Sequence, residues 1–379
     1  MKKENRSLLK NDGVQSLISS LACILGGLLV GYIVLLLINP AGATDAILAI
    51  VKSITNYPEM LQAKYFGQIL VRTAPLLMCA LSVLFAYKVG IFNIGVAGQY
   101  VAGACLGLYG ALAWDLPWYT CLLLAMAAGA VLGAISGALN TLCNVNVVIS
   151  GIMLNWITLY LTNLVLGKVK SPNSPYTLSL RGNNPDALIP DMGLGAYFGK
   201  EKSVTIAIPI AIIVAVIIWV LLNKTKFGYE LKATGNNMHA AKYCGMKEKR
   251  NIILTMLIAG ALAGMGAGLV YLTGIEDWET TIASVPAMGF NGIAVAFLGG
   301  LDPLGAILSA LFIQWITVGG NFVDLTVYSP QISSLISSLI IYLCAFVGFF
   351  KFFMQTRLRK ADEKKAAKLA AQAEGGEDK

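Results

Sequence analysis

Charge is what this sequence has least of. Asp, Glu, Lys and Arg make up 13% of its residues, against about 25% in an ordinary soluble domain, while hydrophobic residues reach 57%. So little charge cannot cover a water-facing surface of this size, and the composition excludes a soluble fold. Histidine is scarcer still. His239 is the single one, and the seven cysteines (Cys23, Cys79, Cys105, Cys121, Cys143, Cys244 and Cys344) stand apart with no Cys-x-x-Cys pair. Neither a zinc site nor a disulfide framework has its ligands, and no metal or cofactor is expected. Gly-x-x-x-x-Gly-Lys-Ser/Thr is missing too. Gly167-Lys168 and Gly199-Lys200 lack the following hydroxyl and the upstream glycine, so the chain by itself carries no P-loop for ATP hydrolysis. The apolar runs contain no Asp or Glu in their interiors. That removes an intramembrane acid-base centre and argues against ion-coupled transport, which places ionisable groups near the midplane.

What is present in abundance is apolar sequence of membrane-crossing length. About ten candidate spans occur: Leu17 to Ile38, Ile69 to Tyr87, Val89 to Trp114, Trp118 to Leu139, Val145 to Gly167, Val204 to Leu222, Ile252 to Thr273, Met288 to Gly300, Leu304 to Gly320 and Ile332 to Phe350. Most match the ~20 residues that cross a bilayer core of about 30 Å. Helices are expected because lipid offers no partners to open backbone groups, and the alternation of a membrane barrel is missing. The expected fold is therefore an all-α polytopic membrane protein. Its first run is too long for a secretory h-region of about 7–15 residues, so an uncleaved first helix is expected.

The loops orient the spans. With the N-terminus inside, inner segments collect most of the 28 Lys and Arg: those of residues 1–16, Lys88, seven between Lys224 and Arg250, and the cluster after Phe350. The formal net charge of +8 is then a positive-inside signal with both termini cytoplasmic, and no nucleic-acid partner is implied. The expected organisation is a cytoplasmic N-terminus over 1–16, a transmembrane region over 17–350 and a polar cytoplasmic tail over 351–379. Two large loops interrupt the middle region, an outer one over 168–203 and an inner one over 223–251. Seven cations would cost about 2.5–3.5 kcal/mol each at the bilayer centre, so the inner loop must lie in water, on the lipid surface or against a partner.

The chain also echoes itself. Gly90-Ile91-Phe92-Asn93-Ile94-Gly95-Val96-Ala97-Gly98 has a looser counterpart in Gly289-Phe290-Asn291-Gly292-Ile293-Ala294-Val295-Ala296. Paired Gly-rich interruptions in two related halves point to irregular helices beside a substrate pathway. Amides that donate and accept, set near aromatic faces, suit a neutral ring-bearing solute. Phe92, Asn93, Gln99, Asn155, Phe290 and Asn291 are the candidate path residues, with Gln314, Trp156 and Trp315 as further polar or aromatic members. Each could equally serve helix packing. The series Gly129, Gly133, Gly137 and Gly260, Gly264, Gly268 place small residues on one face at four-residue spacing, and close helix packing is expected there.

The inner loop is the most specific stretch. From Thr225 to Met246 it reads as a turn, a short helix capped by Asn236 or Asn237, and a stop at Gly245, a rigid knob between two spans. It resembles the coupling segment of permeases of ABC importers for nucleosides and simple sugars, at Gly228, Ala233, Gly235, Asn237, Ala240, Ala241 and Gly245. Three more stretches share the likeness: Gly90 to Gln99, Ile149 to Asn155, and Gly289 to Ala296 with Asp302-Pro303-Leu304-Gly305. The first two are nearer the nucleoside branch than the ribose branch. Lys232, Met238, Val147 and Gly151 differ from the family's usual Arg, Pro, Glu and Thr. The resemblance implies a knob that docks on a separate cytoplasmic ATPase. It further implies a second homologous permease that completes the pore and an extracytoplasmic binding lipoprotein that delivers solute. A secondary transporter of a neutral solute is the rival reading, with a membrane-embedded enzyme and a scaffold behind it.

Overall fold

In the computed structural model, residues 12–320 are described apart from Ser53, Asn56 and Lys200, together with scattered residues between 335 and 363. Much of the span expected at Ile332 to Phe350 and most of the tail lie outside the described residues. The longer helices are α1 (Asp12–Ile38), α2 (Ala43–Val51), α3 (Glu59–Tyr87), α4 (Val96–Ala113), α5 (Trp118–Cys143), α6 (Val147–Leu166), α7 (Ala207–Lys224), α8 (Lys226–Asn236), α9 (Met238–Tyr243), α10 (Glu248–Tyr271), α11 (Ala287–Leu298) and α12 (Pro303–Gly319). Extended pairing among the described residues is limited to isolated bridges at Lys170 with Thr177 and Tyr176 with Glu279. The chain is thus an all-α polytopic membrane protein.

Among the described residues seven helices (α1, α3, α4, α5, α6, α7 and α10) are long and apolar enough to cross a bilayer, and α11 and α12 are shorter apolar helices. The 12 residues of α11 extend only ~18 Å at about 1.5 Å per residue. This helix alone falls short of a bilayer core of about 30 Å. The expected span Val89 to Trp114 is helical only from Val96; residues 88–95 form an irregular corner with Gly90 at φ +80°. Helix α2 was not anticipated as an element. It packs on α12, where the Trp315 indole donates to the Val51 carbonyl at 3.1 Å.

Burial sorts the helices into centre and rim. The most apolar window of α3 is 89% buried, whereas that of α7 is 28% buried. Helix α10 joins α3 in the centre, held against α5 by the two glycine series. A Cβ on Gly129 would overlap the Gly260 carbonyl, one on Gly133 the Met256 carbonyl, and one on Gly264 the Ala125 carbonyl. The expected small-residue packing is therefore backbone-to-backbone contact, which aliphatic side chains would prevent.

The helix ends carry their own stops. Asn146 accepts from the Val148 N–H at 2.8 Å to start α6, and Asp302 accepts from Leu304 and Gly305 at 3.0 and 3.2 Å to start α12. Asn144 ends α5 at φ 55°, a left-handed position that Asn tolerates.

The loops gather at two ends. At one, the 168–203 loop is tied to the segment before α11: Thr177 N–H donates to the Trp278 carbonyl at 2.9 Å and Ile189 N–H to the Leu272 carbonyl at 2.8 Å. At the other lie the 88–95 corner and the loop carrying α8 and α9, in contact at Gly235. Ser20 in α1 donates to the Leu298 carbonyl at 2.6 Å, and Gln355 donates to Gln15 at 2.9 Å. The start of α1 thus meets a segment that follows the tenth expected span.

Candidate functional site

The first Phe-Asn copy builds a corner inside the bundle. Asn93, Gln99 and Asn155 are 0%, 1% and 2% exposed, and buried amides at those depths need partners. Asn93 Nδ2 donates to Gln99 Oε1 at 2.9 Å and to Ser82 Oγ at 3.3 Å. Gln99 Nε2 returns a longer bond to Asn93 Oδ1 at 3.4 Å. Asn155 reaches across from α6: its Oδ1 accepts from the Gly98 N–H at 2.7 Å and its Nδ2 donates to the Ile94 carbonyl at 3.1 Å. A helix that begins inside the bundle leaves its first N–H groups without intrahelical partners. Asn155 fills one of those vacancies from another helix, and Gly98 is what lets it approach, since a Cβ there would meet Asn155 Oδ1 and Cα at 2.6 and 2.8 Å. Three of the six candidate path residues are therefore brought into one cluster whose amides hold the broken start of α4.

The second copy behaves differently. Phe290 and Asn291 sit within the first turns of α11. Phe290 is 40% exposed; Asn291 is half-buried and makes no side-chain hydrogen bond among the described residues. The two copies nevertheless meet, because Gly289 lies against Ala97 so closely that a Cβ would fall 2.5 Å from the Ala97 Cα. Phe92 is half-buried and packs near Phe297 of α11 with ring centroids 6.2 Å apart.

The expected knob is two helices. Thr225 caps α8, accepting from the Gly228 N–H at 3.1 Å, and Asn237 caps α9, accepting from the Ala240 N–H at 3.0 Å. Of the two caps considered from sequence, Asn237 is the one used. Gly245 closes the unit at φ +78°. Gly228 makes the tight turn after α7, where a Cβ would overlap the Leu221 and Leu222 carbonyls. Leu231 and Ala241 are buried, whereas Ala240 is exposed beside Tyr229, Met238 and Tyr243, which are 67%, 43% and 94% exposed. Ala233 is half-buried within α8. One side of the loop thus packs inward and the other leaves apolar and aromatic side chains exposed.

Its inward side has a consequence that sequence reasoning missed. Gly235 sits on the 88–95 corner, where a Cβ would overlap the Lys88 carbonyl. Asn251 at the start of α10 donates to Thr234 Oγ1 at 3.1 Å, leaving its own buried Oδ1 without a partner among the described residues. Burial lowers the Lys88 pKa, the Lys232 charge lowers it further, and Asp302 opposes both. Nothing in the spacing of these residues announces the contact; Lys88 and Gly235 come from separate motifs.

At the opposite end a cleft of about 390 Å³ opens between the 168–203 loop and the segment before α11, lined by Tyr176, Tyr271, Glu276, Asp277, Trp278 and Glu279 among others. Glu276 pairs with Arg72 at 2.7 Å, and the Trp278 indole donates to Asn163 Oδ1 at 3.0 Å. Burial raises the Asp277 pKa, with Arg181 opposing. Glu201 feels a burial penalty, but Ser203, Gln68 and Lys64 outweigh it and lower its pKa. No group of three His, Cys, Asp or Glu among the described residues is arranged to hold a metal ion.

Comparison with known proteins bears on this arrangement. The family described as the permease component of branched-chain amino acid transport systems matches residues 65–345. The guanosine ABC transporter permease protein NupP of Bacillus subtilis is 32% identical over 292 residues, 75% of this chain and 81% of its own. The nucleoside ABC transporter permease protein NupB of Lactococcus lactis is 32% identical over 374 residues, 94% of this chain and 97% of its own. The glucose ABC transporter permease protein TsgB13 of Haloferax volcanii is 29% identical over 319 residues, 82% of this chain and 83% of its own. No solved structure matches.

Proposed function

Because this chain belongs to the family of permease components of branched-chain amino acid transport systems, we propose that it is the membrane subunit of an ATP-driven importer that passes nucleosides or related small solutes. The observation that carries the reading is the likeness to nucleoside permeases over most of both chains. The doubly capped knob of α8 and α9 supports it, since a rigid exposed unit anchored on a membrane core is what a separate ATPase needs in order to move that core. On this reading residues 17–350 form the permease domain and 351–379 a polar cytoplasmic tail. The loop over 223–251 faces the cytoplasm, and so do both termini. Gly228, Ala233, Gly235, Asn237, Ala240, Ala241 and Gly245 shape the surface that docks on the ATPase. A second homologous permease completes the pore, and an extracytoplasmic lipoprotein delivers solute near the end that bears the 168–203 loop.

The mechanism follows from the contact between Gly235 and the corner. ATP-driven closure of the ATPases displaces α9, α8 moves with it, and the load passes to Lys88 to Ile94 and so to the start of α4. A packed contact with two discrete arrangements can switch the pathway between outward and inward access as a rigid-body step. Phe92, Asn93, Gln99, Asn155, Phe290 and Asn291 lie at or beside the element that would move. Phe290 and Asn291 remain available to solute, while the buried amides hold the broken helix.

The test is uptake of radiolabelled guanosine and uridine by proteoliposomes containing this chain, its partner permease and their ATPase. Uptake that requires ATP inside and ceases with a hydrolysis-dead ATPase is expected. Uptake that continues with this chain alone, driven by an ion gradient, would instead establish the secondary-transporter alternative.

A further inference from the structure

The exposed face of α6 carries an aromatic pair that packing within the chain does not explain. Trp156 and Tyr160 stack with centroids 6.1 Å apart and planes 26° apart, and they are 42% and 59% exposed. Counted from Val147, they lie ~14 and ~20 Å along the helix at about 1.5 Å per residue, which puts them in the middle portion of a hydrocarbon core about 30 Å thick. Neither the indole N–H nor the phenol O–H has a hydrogen-bond partner among the described residues. Trp and Tyr collect at the membrane interfaces because their polar ends seek water, and a donor left in hydrocarbon is costly. The outward face of α7 shows what acyl chains accept: Ile212, Ile213, Val216, Ile217 and Val220, all aliphatic. On the exposed face of α6, where Ile149, Met153, Ile157, Leu161 and Leu164 are equally acceptable to acyl chains, the Trp156 and Tyr160 pair is the part ill suited to lipid.

Its position places it beside the broken start of α4 and the short α11. Asn155, next to Trp156, bonds to the Gly98 amide, and Gly289, next to Phe290, lies on Ala97. Trp156 and Phe290 thus emerge at the level where α4 begins. We infer that the Trp156 and Tyr160 pair is a stacking station for the planar ring of the solute, with the indole N–H and phenol O–H turned to polar groups of solute or to water. The solute class is an aromatic heterocycle bearing hydrogen-bonding groups, such as a nucleobase or nucleoside. This rests on the transport reading above and deepens it. Stacking of a base on an aromatic side chain is sequence-tolerant because every base has a π-face, so the station favours rings as a class over any one base.

The experiment uses the assembled transporter in proteoliposomes and compares wild type with Trp156→Leu, Trp156→Phe and Tyr160→Leu. Trp156→Leu is expected to raise KM for guanosine about tenfold, and Tyr160→Leu to raise it severalfold. Trp156→Phe should restore most of the affinity. In a cysteine-free background, Trp156→Cys should react with a water-soluble methanethiosulfonate, and guanosine should slow that reaction. Unchanged KM in both leucine variants overturns the inference, as does a cysteine that only a lipophilic reagent reaches. Loss of the partner permease on purification of Trp156→Leu, with Trp156→Phe no better, overturns it in favour of a subunit interface. If wild type itself transports neither guanosine nor uridine, the proposed substrate class fails and the stacking station fails with it.

Discussion

At the residue scale, identical amides do different jobs according to what surrounds them. Asn155 is a buried cap for a helix in another segment, so replacing it with Leu leaves the Gly98 N–H and the Ile94 carbonyl unpaired at about 1–3 kcal/mol for each buried group. Asn291 is half-buried without a side-chain bond, and Leu there removes an amide but orphans nothing. Asn155→Leu should therefore lower the thermal midpoint of the detergent-solubilised protein by several degrees. Asn291→Leu should leave the midpoint in place and reduce nucleoside uptake. Equal midpoints for the two variants would sink this division of labour. Asn93 and Asn291 looked equivalent as Phe-Asn pairs in sequence. They are not, because Ser82 and Gln99 occupy Asn93, and Ser82 carried no signal of that pairing.

At the scale of elements, two glycines of one loop are needed for unrelated reasons. Gly245 adopts φ +78° with open space around its Cα, so a side chain there costs about 1–2 kcal/mol of backbone strain and little else. Gly235 is held against the Lys88 carbonyl, so Val at that position must push α8 off the corner. Gly235→Val should leave expression and basal ATP hydrolysis nearly intact while cutting transported solute per ATP at least severalfold; Gly245→Ala should cost far less. A Gly235→Val transporter with wild-type stoichiometry would show that the corner carries no load. The capping of α9 by Asn237 and the glycine contacts of α5 on α10 were both legible in sequence, because caps and four-residue spacing are local patterns. The corner was not legible, since its two sides come from segments far apart along the chain.

At the scale of the whole molecule, the two loop clusters sit at opposite ends of a bundle, and the positive-inside pattern gives each end an expected side. Cys244 is exposed beside α9, while Cys23, Cys79, Cys105 and Cys121 are buried. In a variant retaining Cys244 alone, a membrane-impermeant maleimide should label inside-out vesicles and spare right-side-out ones. Labelling from the outer side of intact cells would invert the orientation and remove the knob from reach of an ATPase. The short α11 matters at this scale too. It relies on its neighbours, with Gly292 against Cys79 and Gly289 against Ala97, to stand where lipid alone would not hold it.

Low charge, long apolar runs and scarce histidine determined from sequence alone that the solvent is lipid, that the elements are helices and that no P-loop resides in this chain. Local patterning determined the caps, the glycine-packed pair and the knob. Tertiary structure alone decided which polar groups in the membrane are closed and which remain open: Asn93, Gln99 and Asn155 are satisfied within the chain, while Asn291, Trp156 and Tyr160 have no hydrogen-bond partner among the described residues. The physical reason is that hydrogen bonding inside a bundle depends on which distant segments come within about 3 Å of one another. A sequence displays the donors and acceptors, but only the packed helices determine which ones meet.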